Sequence, residues 1–179
     1  MGKAIEKVAI EGTANVLKSM NADATIVFPS THVVFEGLKE QKENLDENEK
    51  TNTFLTYSTS KVENENQIIK SGKKYAIFRL GSVYGFSTDT MRINIMPNLF
   101  SKIASQNGKI KLFGGGVQLK SLVPLIDVTR CFKFVEEKED FKNGIYNLSK
   151  ENCTVKDVAD ICKKINPKLE VISTDDEVP

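Results

Sequence analysis

The chain has 179 residues, 40% of them hydrophobic, enough to bury one sizeable core, so one domain or one domain with a small appendage is expected. Twenty-five basic against 24 acidic residues leave a net charge of +1, and no Lys/Arg run is interleaved with aromatics, so nothing in the sequence favours a nucleic-acid partner. No apolar run reaches bilayer-spanning length, and the start, Met1-Gly2-Lys3-Ala4-Ile5-Glu6, has no apolar signal core; the expectation is a cytoplasmic protein without a membrane partner. Cys131, Cys153 and Cys162 are an odd number without C-x-x-C spacing, which suggests buried thiols rather than a disulfide framework or a zinc site. A single histidine, His32, cannot supply a multi-histidine metal site, and a Ser-His-Asp triad would have to be built on it alone.

Apolar positions Ile5, Val8, Ala9, Ala14, Val16 and Leu17 recur near helical spacing until Asn21-Ala22-Asp23 stops the pattern, which predicts a first helix. Residues 24–28 form a short β-branched run bounded by Pro29, a buried strand whose end, Ser30-Thr31-His32, is a candidate site edge. The charged, aperiodic residues 36–53 read as a surface loop or a short solvated helix. From Tyr57 to Ser71, Val62, Ile68 and Ile69 give a stripe on a charged helix, with Gly72 beyond its end. Residues 75–80 are the next strand, closing at Gly81, and Gly85 marks a turn after Tyr84. Residues 95–104 then predict a helix, 110–113 a strand, 114–116 a glycine loop and 122–126 an extended segment, after which Asp127 can cap a helix through Val135. Residues 145–148 predict a strand, Thr154 caps a helix from Val155 to about Ile165 with Asp157 at its third position, and 170–173 predict a last strand. Strands alternating with helices, without repeats, indicate an α/β layer fold with a mainly parallel sheet, its last 30 residues or so in a smaller lobe.

Tyr57-Ser58-Thr59-Ser60-Lys61 sets a phenol and an ammonium four positions apart, on one helix face, where the cation favours the phenolate. Such a tyrosine can act as general acid or base toward a sugar hydroxyl or ketone. By itself the spacing is uninformative, since four tyrosines in a lysine-rich chain produce one such pair about as often as not. Thr31, at a predicted strand end, could add a hydroxyl to the same substrate oxygen, because strand ends of parallel sheets line ligand crevices; an ordinary strand-end turn is the plain alternative.

Around these residues, several segments follow one another in a familiar order. Gly12-Thr13-Ala14-Asn15-Val16-Leu17 is similar to a G-T-x-N-L-L helix, Ser30-Thr31-His32-Val33-Val34-Phe35 to an S-S/T-x-x-V-Y segment, and Arg79-Leu80-Gly81-Ser82-Val83-Tyr84-Gly85 to R-x-x-N-V-Y-G. Asn94-Ile95-Met96-Pro97 is similar to N-L-M-P, and residues 114–130 to G-D-G-x-Q-x-R-D-F-V-x-V-x-D-V-x-R. Together with Tyr57 and Lys61 at the fitting distance, they resemble the extended short-chain dehydrogenase/reductase family, the NAD-dependent nucleotide-sugar epimerases and dehydratases, over essentially the whole chain. The resemblance implies a partial Rossmann-like sheet with flanking helices: residues 1–150 as the later half of the domain with substrate-binding insertions, and 151–179 as part of a C-terminal substrate lobe. It implies that Thr31 and Tyr57 bind the reacting sugar oxygen, that Lys61 holds the nicotinamide ribose, and that Tyr57 moves a proton as hydride passes to NAD. A homodimer through residues 3–20 and 57–71 is implied as well.

Departures from the pattern narrow the activity. His32 and Val33 stand where 4,6-dehydratases carry an Asp-Glu pair, which argues against dehydration. Ser82 replaces the family's Asn, and Lys120 replaces an Arg whose bidentate grip on the nucleotide diphosphate an ammonium cannot reproduce. Asn94 matches a nucleotide-side ligand, with a helix cap as the plain alternative. No G-x-x-G-x-x-G precedes these segments, and relative to the family the chain is expected to be truncated at both ends. The leading expectation is the catalytic and sugar-binding part of an epimerase, or a related reductase or decarboxylase, acting through a 4-keto sugar and inactive in isolation. A non-catalytic sugar-nucleotide-binding or interaction module is the second, and a generic α/β domain with a coincidental Tyr-Lys pair the third.

Overall fold

The computed structural model describes residues 2–40, 42, 44–138 and 140–176, with the backbone alone at 2, 3 and 5. Met1 and the Ile5 side chain of the expected apolar stripe therefore lie outside the described residues. In chain order the elements are α1 (Gly2–Ser19), β1 (Thr25–Thr31), α2 (Thr56–Lys70), β2 (Lys74–Leu80), β3 (Ser82–Tyr84), α3 (Met96–Ser105), β4 (Lys109–Phe113), β5 (Leu119–Pro124), α4 (Leu125–Glu137), β6 (Gly144–Leu148), β7 (Glu151–Thr154), α5 (Val155–Ile165) and β8 (Glu170–Thr174), with 3-10 turns at His32–Phe35 and Gly114–Gly116. The chain folds as two compact units, Met1–Leu80 with Arg130–Leu148 and Gly81–Thr129 with Ser149–Pro179. The units interleave along the chain, because β6 returns to pair with β2.

In the first unit, β1, β2 and β6 form a parallel sheet in the order β1-β2-β6, with Thr25 opposite Lys74 and Ala76 opposite Gly144. Alternation along β2 sends Ala76 and Phe78 to one face. There they pack with Cys131, Phe132 and Val135 of α4, and the Phe78 and Phe132 rings stack at 5.7 Å. Ile77 and Arg79 take the opposite face, and α2 lies against β1 and β2 with Ile68 fully buried. β1 runs on through Pro29, where the sequence reading ended it. Proline lacks the amide a central strand would need, but among the described residues β1 pairs only with β2, and a strand at a sheet margin tolerates it.

In the second unit, β3 pairs parallel with β5, β5 antiparallel with β7, and β4 parallel with β8. Phe100, Ile110, Leu112, Leu122, Val158 and Leu169 form the core under α3 and α5. The predicted cap of α5 is present as a reciprocal box, Thr154 accepting from the Asp157 amide at 3.0 Å while Asp157 accepts from the Thr154 amide at 2.8 Å. Asp127 does not cap α4; the helix starts two residues earlier, leaving Asp127 in its first turn, where a carboxylate complements the helix dipole. Two strands escape the sequence reading: β3 has three residues and β7 four, too short and too polar to show alternation. Gly81 is required by space, since a Cβ would lie 2.9 Å from the Ser121 carbonyl oxygen. Four of the five described strand pairs are parallel, so the molecule has the mainly parallel α/β fold expected. No helix among the described residues is long and apolar enough to cross a membrane.

Candidate active site

The helix that carries Tyr57 and Lys61 is started from outside itself. Leu55 occupies the cap position of α2 and has no capping side chain. Instead, Glu36, just beyond the 3-10 turn, receives the Phe54 amide at 3.1 Å, the Leu55 amide at 2.8 Å and the Ser58 hydroxyl, all on Oε1. Burial works to raise the Glu36 carboxyl, but the Ser58 hydroxyl and the two amides prevail and hold it below the usual carboxylate range. A carboxylate at this end also opposes the positive pole of the helix dipole. The first turn, where Tyr57 stands, is thereby tied to the segment leaving β1.

Tyr57 and Lys61 line one predominantly apolar groove of about 720 Å³, with Val8 and Val16 of α1, Phe28 of β1 and Asn64 one turn further along α2. Tyr57 is 49% exposed. The Lys61 ammonium lies 6.0 Å from the centre of the Tyr57 ring and 4.6 Å from that of Phe28, and it donates to the Pro29 carbonyl at 2.7 Å. Burial pushes the Lys61 ammonium below its ordinary value, against the opposing pull of Glu65. Asn64 is 4% exposed, and its Oδ1 has no hydrogen-bond donor among the described residues.

Thr31 is buried at the end of β1, two residues past the carbonyl that receives Lys61, and does not line the groove. Its Oγ1 accepts the Val33 amide at 3.2 Å, which leaves the hydroxyl proton to donate elsewhere. The plain alternative, a strand-end turn, is thus present, with Thr31 capping it, and it is compatible with a further hydrogen bond. His32 donates from Nδ1 to the Leu80 carbonyl at 2.9 Å, joining the ends of β1 and β2.

The sequence reading missed a buried ion pair between the same helix and β2. Glu65, 2% exposed, accepts Arg79 Nε at 3.2 Å and the Ser30 hydroxyl on Oε1, and Arg79 Nη2 at 2.8 Å on Oε2. Arg79 also donates to the Glu47 carbonyl at 3.3 Å and stacks over Phe35 at 5.3 Å. Glu47 in turn receives the Asn147 amide at 2.7 Å. A spacing of four from Lys61 to Glu65 was readable and would have marked the carboxylate as sharing the helix face.

Ser82, Asn94 and Lys120 belong to the second unit. Ser82 is half-buried on β3 opposite Leu122. Lys120 is exposed on β5 opposite Cys153. Asn94 is exposed before α3, whose cap position is Ile95 without a side-chain bond, so the cap alternative for Asn94 is not realised. Tyr84 donates to Glu151 at 2.8 Å; burial and then this carboxylate push its phenol up to about 12, so it stays protonated near neutral pH. All three glycines of residues 114–116 adopt positive φ, and a Cβ on Gly116 would lie 3.1 Å from the Lys156 amide nitrogen, so the loop is built to turn tightly against α5. Among the described residues no group of His, Cys, Asp and Glu side chains is arranged to hold a metal.

The model of the NAD dependent epimerase/dehydratase family matches residues 3–149. No curated protein matches the sequence. Among solved structures, the fold is similar to UDP-glucose 4-epimerase of Thermotoga maritima with UDP-glucose (TM-score 0.80, 20% identity, covering 98% of this chain and 59% of that one). It is similar to UDP-glucuronic acid 4-epimerase of Bacillus cereus in complex with UDP-glucuronic acid and NAD (TM-score 0.79, 20% identity, 96% and 55%). A third is the UDP-glucose 4-epimerase of Thermus thermophilus complexed with NAD (TM-score 0.76, 20% identity, 97% and 62%). The chain thus spans less than two thirds of the length of each.

Proposed function

This chain belongs to the NAD-dependent epimerase/dehydratase family, and we propose that it is the catalytic and substrate-binding portion of a nucleotide-sugar epimerase, or a related reductase or decarboxylase, working through a 4-keto sugar. The observation that carries the reading is Tyr57 and Lys61 on one groove, on successive turns of a helix that follows the strand ending in Thr31. NAD, when bound, supplies reversible hydride transfer at the sugar carbon. Tyr57 takes the proton from the sugar hydroxyl as that carbon is oxidised and returns it on reduction. Lys61 stabilises the phenolate through its charge and, by exchanging the Pro29 carbonyl for ribose hydroxyls, holds the nicotinamide end. Thr31, buried and off the groove, is assigned to the same sugar oxygen by its place in the family pattern. Ser82, Asn94 and Lys120 are assigned to the nucleotide sugar, with Lys120 as a point charge toward the diphosphate.

The residues present fit the nicotinamide–ribose end of the cofactor. Nothing in the chain corresponds to the glycine-rich pyrophosphate loop, so the portion is assigned no turnover in isolation. His32, held by the Leu80 carbonyl where a dehydratase carries an acid, supports epimerisation over dehydration. We further propose a homodimer through residues 3–20 and 57–71, supported by Val8 and Val16 exposed on α1. A cytoplasmic setting accords with three cysteines at no disulfide spacing. Residues 1–150 are assigned to the later half of a Rossmann-like domain with substrate-binding insertions and 151–179 to part of a C-terminal substrate lobe.

Two observations favour a second reading, a sugar-nucleotide-binding module without catalysis: this sequence shows no pyrophosphate loop, and Ser82 and Lys120 stand in place of the stronger ligands. Calorimetric titration with NAD, UDP-glucose and dTDP-glucose separates the two. Weak NAD binding that disappears in Lys61→Ala, alongside nucleotide-sugar binding, is the result expected for the catalytic portion. Heat from nucleotide sugars alone selects the binding module, and silence with every titrant overturns both.

A further inference from the structure

The Glu65–Arg79 pair asks for an explanation beyond stability. Two charges buried to 2% and 5% exposure gain little net stability over well-packed apolar side chains of similar size, because desolvation offsets their attraction. What an apolar pair could not supply is direction and charge, and here both point at the groove helix. Glu65 follows Lys61 by one turn and Tyr57 by two, so the three side chains sit on successive turns of α2. Its Oε1 binds the Ser30 hydroxyl, next to Thr31 at the end of β1, and its two oxygens take the fork of Arg79 from β2. Arg79 is fixed in turn by the Glu47 carbonyl and the Phe35 ring.

We infer that Glu65 is a positioning residue: it locks the helix bearing Tyr57 and Lys61 to the strand end bearing Thr31, and holds a fixed negative charge one turn from the Lys61 ammonium. The inference rests on the reading of Tyr57 and Lys61 as a proton-transfer pair, and gives that pair its anchor. Among the described residues, Glu65 is the carboxylate that stands one turn from Lys61 on the same helix. From α2 the ammonium meets the Tyr57 ring, with Glu65 one turn further on, and from β1 the Phe28 ring and the Pro29 carbonyl. From α1, among the described residues, the groove receives only uncharged side chains. Among the described residues of the network, Arg79 carries the opposite charge with its fork occupied by Glu65, and the Glu47 carboxylate stands beyond it, receiving the Asn147 amide. The direction of the electrostatic effect agrees, since Glu65 acts to raise Lys61 against its burial.

The test is an NMR titration of Lys61 in the ligand-free chain labelled with 13C-lysine, its signal assigned by its loss in Lys61→Arg. In Glu65→Gln the Lys61 midpoint should move down, and in Glu65→Asp, which keeps the charge, it should return toward the wild-type value. Should Glu65→Gln not fold because Arg79 is left buried and unpaired, the Lys61 midpoint of the double variant Glu65→Gln/Arg79→Met is read against that of Arg79→Met, which isolates the Glu65 charge and carries the same prediction. A Lys61 midpoint unchanged in a folded variant lacking the Glu65 charge overturns the inference, because a strut that only stabilises the fold would leave the titration where it was. The measurement uses no ligand, so its failure is distinct from failure of the functional reading, which the nucleotide-sugar titration decides.

Discussion

Glu36 and Tyr57 are side chains whose replacement should have opposite consequences. Glu36 starts α2 through three donors, so Glu36→Gln should lower stability at neutral pH by about 1 kcal/mol, the typical value of a helix cap. Its folded carboxyl lies below the ordinary value of 4.5, so the contribution is full above that pH and is lost as the pH falls through the folded value. Urea unfolding of wild type and Glu36→Gln should accordingly give a gap at neutral pH that closes in acid; a gap independent of pH would contradict the cap. Tyr57→Phe, by contrast, removes the hydroxyl of a half-exposed side chain and should leave the urea midpoint unchanged while abolishing, under the proposed function, hydride transfer in an assembly that supplies a glycine-rich cofactor loop. Lost stability with retained transfer would remove Tyr57 from the chemistry. At this scale the sequence was informative about residue types and silent about partners. Lys61 and Tyr57 were readable from their spacing, but Glu36 acts across 18 and 19 residues and Arg79 across 14, distances over which a sequence carries no periodic signal.

α2 is mostly polar and is held by few apolar contacts, so its attachment depends on individual positions. Ile68 is fully buried and Ile69 is 41% exposed, although both fall in the stripe read from the sequence. Ile68→Ala should cost about 2–5 kcal/mol by transfer and cavity terms, whereas Ile69→Ala should stay within about 0.5 kcal/mol. Chemical denaturation of the two variants checks this, and equal losses would mean that α2 is rotated from the position described. Helices were the most legible elements: α1, α2, α3 and α5 lie within a few residues of their expected bounds, because each carries either an apolar period or a cap. Strands were legible where burial made them apolar, as in β2 and β4. They failed at β3 and β7, which owe their conformation to pairing with β5 rather than to their own residues. Pro29 misled the reading of β1, since its meaning depends on whether the strand is central or marginal.

For the molecule as a whole, the family could be read from ordered segments rather than from any one motif, and the mainly parallel fold follows from them. The pairing of β6 with β2 and the interleaving of the two units could not be read, because both depend on contacts between segments far apart in the chain. Association is the property most open to measurement at this scale. Val8 is 75% exposed on α1, and in the proposed homodimer Val8→Glu should shift sedimentation velocity from dimer toward monomer without loss of helix content. A wild-type chain that sediments as a monomer at all concentrations would exclude that interface. The central claim, that this portion recognises a nucleotide sugar, is tested most directly by saturation-transfer NMR with UDP-glucose. The account predicts transfer to both hexose and uracil protons, weakened in Lys120→Ala; absence of transfer to either group in the folded wild-type chain would contradict it.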